Sequence, residues 1–113
     1  MKILLTMAYL ILQPAWVAPL WAGELPAGVL RAGTLANPKL VHDAMAGVVG
    51  QVSLLGCDKP TAFRPYVVKM PAGQVGSRHW VEKWIVSGCK REYPLTMDFS
   101  EDGLDAANWT VSK

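Results

Sequence analysis

In a chain of 113 residues, two histidines, two cysteines and an acid-rich stretch near the C-terminus are the side chains best suited to chemistry. His79 and Glu82 stand three apart in RHWVEKW. If that segment is a strand, residues three apart point to opposite faces, so the pair cannot close on one ion. His42 lies beside Asp43, and neighbours on a helix point in different directions around it. Zinc needs about four ligands and finds few here once the cysteines are otherwise used. The stretch DFSEDGLDAANW sets Asp98, Ser100, Asp102 and Gly103 at the first, third, fifth and sixth positions of a calcium-loop pattern. The twelfth position, which should supply a bidentate carboxylate, is Trp109. A hairpin loop in which Asp and Gly supply turn geometry is the simpler reading. No metal site and no other cofactor is therefore expected. Nor do the serines fall in a nucleophile elbow, and titratable groups that could cooperate are few, so no catalytic residues are assigned.

Cys57 sits in SLLGCDKP, which has the outline of a lipobox. A lipobox must follow an export signal directly, and the export-like segment lies far upstream. Lys2 is followed by an uncharged run from Ile3 to Leu12, then by Gln13, Pro14 and the small residue Ala22. That order is the layout of a secretory signal peptide, with cleavage expected near Ala22–Gly23. The prolines and the glutamine argue against a continuous membrane-spanning helix, so stable membrane insertion is not expected after cleavage. The remaining chain holds two cysteines, an even count in an oxidising compartment, and a Cys57–Cys89 disulfide is the expected pairing. Closing that loop restricts the unfolded chain by about 3.7 kcal/mol, a large term for a small domain.

Cleavage would remove Lys2 alone among the charged groups, leaving a net charge of +1. That is no footprint for nucleic acid. A chain of this size buries only about 60–65% of its unfolded surface and forms a single core.

The elements that must position these residues follow from spacing. Residues 23–36 mix glycine, proline and small apolar residues without a period and read as a flexible arm. Asn37-Pro38 is a helix start, with asparagine as cap and proline where a missing N–H costs nothing. Val41, Met45, Val48, Val52 and Leu55 then recur at helical spacing, which predicts a helix over 38 to about 52. Gly47 and Gly50 each weaken it by about 1 kcal/mol against alanine. After Cys57 the period becomes two. Tyr66, Val68 and Met70 share one face, as do Trp80, Glu82, Trp84 and Val86, and as do Tyr93, Leu95, Met97 and Phe99. Pro94 requires its strand to lie on an edge or to break its ladder there. A last short strand holds Trp109 and Val111. The fold expected over residues 37–113 is α+β: one helix packed on a three- to four-stranded antiparallel meander, tied by one disulfide.

The face of Trp80, Glu82 and Trp84 admits two readings. Tryptophans are well buried on average, and a carboxylate among them then needs a partner, with Arg64, Arg78 and Arg91 as candidates. Alternatively the face is open, and the three residues form a partner-binding surface.

The stretch WVEKWIVSGCKREYPLTMDFSEDG resembles an uncharacterised group of small exported proteobacterial proteins. Their pattern is an aromatic-x-Glu-x-aromatic strand followed by cysteine, then a strand ending in phenylalanine and a glycine-rich turn. Trp80, Glu82, Trp84, Cys89 and Phe99 match it, and the likeness spans residues 42–113. Lys90 departs from it, since glycine often follows the cysteine, and so does Leu104-Asp105-Ala106. The resemblance implies export and this fold, and no activity. The resulting expectation is a periplasmic or secreted, non-catalytic domain that binds another envelope or secreted protein. A small periplasmic hydrolase or ligand-binding protein is the alternative.

Overall fold

A computed structural model describes residues 25–104 and 106–113. The expected signal peptide and its cleavage site lie outside these residues. The elements run β1 (Arg31–Ala32), α1 (Pro38–Leu54), β2 (Pro60–Ala72), β3 (His79–Gly88), β4 (Arg91–Glu101) and β5 (Ala107–Ser112). The five strands form one antiparallel sheet in chain order, β1-β2-β3-β4-β5. The α+β architecture is as read from spacing, with one strand more than the three to four expected. The addition comes from the segment read as an arm. Arg31 and Ala32 pair with Val67 and Tyr66, and the flanking Leu30 and Gly33 N–H groups donate to the Val67 and Pro65 carbonyls.

Asn37 caps α1, its side chain accepting from the Leu40 N–H at 2.8 Å, and Pro38 opens the first turn. The helix runs two residues past the expected end. Its buried stripe is Leu40, Ala44, Val48 and Val52, with Val41, Met45 and Leu55 packed alongside. Gly47, a liability by propensity, is required by packing. A Cβ there would collide with the Trp109 ring, so the missing side chain lets the helix settle onto β5.

The β3–β4 ladder is unbroken over ten pairs, from His79↔Ser100 to Gly88↔Arg91. Trp80, Glu82, Trp84 and Val86 therefore face the helix opposite Phe99, Met97, Leu95 and Tyr93, and all eight are buried. Trp80 stacks on Phe99, and Trp84 lies against Phe63 and Phe99. Strand β2 departs from simple alternation. Its register shifts between Val67 and Lys69, so the face read for Tyr66, Val68 and Met70 does not carry through, and Val67 is the residue that enters the core. Pro94 sits where β4 has outrun its neighbour, since the β4–β5 pairing ends at Thr96↔Ser112. The edge that its missing N–H demands exists locally.

The Cys57–Cys89 disulfide is formed, with Cα atoms 5.8 Å apart. It joins the segment after α1 to the tip of the β3–β4 hairpin. Cys89 and Lys90 both take left-handed backbone angles, φ 52° and 61°, as a two-residue turn between twisted strands requires. Beneath this turn, a Cβ at Gly88 would lie 2.8 Å from the Pro60 Cα and 2.9 Å from the Lys59 carbonyl, so only glycine fits.

Candidate functional site

Glu82 is fully buried, and the two tryptophans beside it are its partners. Its Oε1 accepts from the Trp84 indole N–H at 2.7 Å, and its Oε2 from the Trp80 indole N–H at 2.9 Å. A third donor is the backbone N–H of Leu35, also 2.9 Å from Oε2. The i, i+2 spacing of a strand puts both indoles on the carboxylate's own face, one on each side. Taking a carboxylate out of water costs several kcal/mol. Hydrogen bonds to a charged acceptor return about 1.5–3 kcal/mol each, so three of them offset that cost without a cation.

The arginines proposed as partners are engaged elsewhere. Arg64 donates to Glu92 at 2.9 Å, Arg78 binds Glu101, and Arg91 lies over the Tyr93 ring. The open-face reading of Trp80, Glu82 and Trp84 is thereby corrected: all three lie beneath the helix, because their hydrogen bonds satisfy one another internally. One of them still reaches a surface feature. Trp80 contributes to the lining of a cleft of about 590 Å³ at the end of the sheet where the helix begins.

That cleft is built from three segments: Leu35 to Asp43 on one side, Pro71 to Arg78 on the second, Glu101 to Ala107 on the third. Glu82 ties the first of these walls to the floor, since it holds the Leu35 amide and the Trp80 indole together. The other two segments are clasped by Glu101. Its Oε1 accepts from the backbone N–H of Gly76 and of Arg78, and the Arg78 guanidinium reaches both carboxylate oxygens at 2.8 and 3.0 Å. The Arg78 side chain, together with these backbone donors, pulls the Glu101 carboxyl down to about 2, and Glu101 in turn raises Arg78 above its ordinary value. On the helix side, Lys39 pairs with Asp43 at 2.8 Å and holds its carboxyl below the usual range. Two apolar side chains stand out at the loop tips, Val75 at 85% exposure and Leu104 at 82%. The tips meet, with Gly103 close to the Gly76 carbonyl.

The remaining sequence candidates fall elsewhere. His79 and Glu82 are on opposite faces, as expected, with His79 on the outer surface 3.3 Å from Asp98. The register also brings Ser100 opposite His79. That places a serine, a histidine and an aspartate together where sequence spacing had suggested nothing, but on the open outer face of the sheet, and none of the three lines the cleft. The calcium-loop pattern does not form one loop. Asp98 and Ser100 belong to β4, while Asp102 turns its carboxylate to the Leu104 and Ala106 N–H groups. Those bonds shape the turn, with Gly103 at φ 82°. Among the described residues no helix is long and apolar enough to cross a membrane.

Sequence reasoning missed Val75, Leu104 and the Arg78–Glu101 clasp. An apolar residue within turn chemistry, as in PAGQVGS, was the available signal for the first. Comparison with family models, curated proteins and solved structures returned no match to this chain.

Proposed function

We propose that the protein is a small exported domain, periplasmic or secreted, that works by binding another envelope or secreted protein rather than by turning over a substrate. The binding end is the cleft-bearing end of the sheet, not the face of Trp80, Glu82 and Trp84. The observation that carries this reading is the pair of protruding apolar tips, Val75 and Leu104, beside a cleft floored by Trp80. Apolar side chains held clear of the surface on neighbouring turns find little packing within their own domain, and they are the usual makings of a contact centre. The charged groups around them are already paired, Arg78 with Glu101 and Lys39 with Asp43, which suits a polar rim better than acid–base work.

The test is affinity capture from envelope extract with the wild-type protein and with Val75→Asp/Leu104→Asp. Both positions are exposed, so the variant should fold and melt as wild type. A partner enriched by the wild type and lost with the variant supports the reading. Equal capture by both removes this end of the molecule from consideration. The intact mass of protein recovered from the envelope tests export, and a mass retaining residues 1–22 would overturn it.

A further inference from the structure

The two edges of the sheet are finished very differently. On the β2 side, prolines at 60, 65 and 71, successive register shifts and the short strand β1 interrupt or cover the edge. These are the ordinary ways in which a sheet avoids pairing with another chain. The opposite edge, β5, has none of them. Its sequence, Ala-Asn-Trp-Thr-Val-Ser, contains no proline and no charge.

The direction of its backbone groups follows from the hydrogen bonds around the last turn. The Glu101 N–H donates toward β3, to the Arg78 carbonyl, and the Asp102 N–H donates to the Ala106 carbonyl. Alternation then points the backbone of Ser100 and Asp98 at Asn108 and Thr110, their register partners. The N–H and C=O groups of Ala107, Trp109 and Val111 point away from the sheet. Among the described residues no strand pairs with them.

We propose that this edge is the seam of a homodimer, in which β5 pairs antiparallel with β5 of a second copy about a two-fold axis at Trp109. The three outward residues are symmetric about that point. Trp109 exchanges hydrogen bonds with its own counterpart, and Ala107 exchanges them with the second copy's Val111. The strand meets itself without like-charge repulsion. Asn108 falls opposite Thr110 of the other copy, a polar pair, and the two half-buried Trp109 rings become cross-strand neighbours. Gly47 brings α1 low over β5, and a Cβ at Gly50, one turn on, would have nothing within 4 Å. Self-pairing is an isologous contact and closes at two copies.

The experiment is sedimentation equilibrium of the oxidised protein across the micromolar to millimolar range, with two variants at exposed positions. Asn108→Lys/Thr110→Lys sets lysine against lysine twice across the seam and should weaken association by about tenfold or more, with unchanged circular dichroism and melting. Asn108→Asp/Thr110→Lys sets opposite charges face to face in the same register and should restore the dimer. A wild type that stays monomeric throughout, as it would if this edge served only a foreign strand, overturns the proposal. A Lys/Lys variant as dimeric as wild type places the interface elsewhere and overturns it equally. Since neither Val75 nor Leu104 belongs to the paired strand, Val75→Asp/Leu104→Asp should dimerise as wild type does.

Discussion

The two ends of the sheet solve the same problem by opposite means. At the hairpin end, the chain after the helix is fastened covalently, and Gly88 lets backbone pack against backbone. At the helix-start end, three segments converge without a covalent tie, held by two carboxylates. Glu82 works in the dry interior with three neutral N–H donors, and Glu101 works at the rim with a guanidinium and two amides. The difference is one of rigidity and access. The covalent end carries a shallow groove along the hairpin tip, whereas the polar end holds a more enclosed cleft beside two exposed apolar loop tips. Binding segments are drawn from the less constrained parts of a fold.

The largest effect should come from unfastening the covalent end. Cys57→Ala/Cys89→Ala is expected to lose about 2–4 kcal/mol in denaturant unfolding, with the hairpin tip more affected than the cleft. A loss well below that range would mean that packing around Gly88 already does the work of the bond.

At the other end, Glu82→Gln is not the gentle change it looks on paper. Oε1 faces one N–H and Oε2 faces two, so an amide NH₂ in either orientation meets a donor. The expected cost is about 1–3 kcal/mol, with faster hydrogen exchange at the Leu35 amide. A variant as stable as wild type would show that the arm does not depend on the carboxylate.

The rim carboxylate predicts a pH dependence. Glu101 is lowered from an ordinary value of 4.5 to about 2, so the folded state favours its charged form. Its contribution is therefore fully present above about 4.5 and is lost as pH falls toward 2. Amide exchange at Gly76 and Arg78 should rise over that window, and Glu101→Gln should abolish the dependence. Flat exchange between those limits would contradict the assignment.

The smallest expected effect is a gain. Lys90 holds a left-handed backbone angle that glycine adopts freely, so Lys90→Gly should raise stability by about 0.5–1 kcal/mol. A loss would show that the disulfide, not the turn, dictates the backbone there.

Much of this was legible because local signals agreed with tertiary need. Asn37-Pro38 marks a helix start in any context, and Tyr93 to Phe99 alternates without interruption. What escaped the reading depended on neighbours far away in sequence. Arg31-Ala32 is too short to carry a period, and it is a strand because β2 offers it an edge. Gly47 is unfavourable by propensity and necessary once Trp109 is above it. Burial of Glu82 suggests a countercharge, and hence an arginine, as its partner. Yet two indole donors at i−2 and i+2 were in plain view, and only the Leu35 amide, 47 residues distant, left no trace in the sequence.

That amide limits how the sequence can drift. Replacing Glu82 or Trp84 alone strands a buried polar group, while phenylalanines around an apolar residue could replace Trp80, Glu82 and Trp84 together. The backbone of residue 35 would then keep a donor with nothing to receive it. Proline is the one residue that arrives without that N–H. A lineage that abandons the tryptophan–glutamate core is therefore expected to change the arm in the same step, so that two stretches 47 residues apart in the chain should vary together.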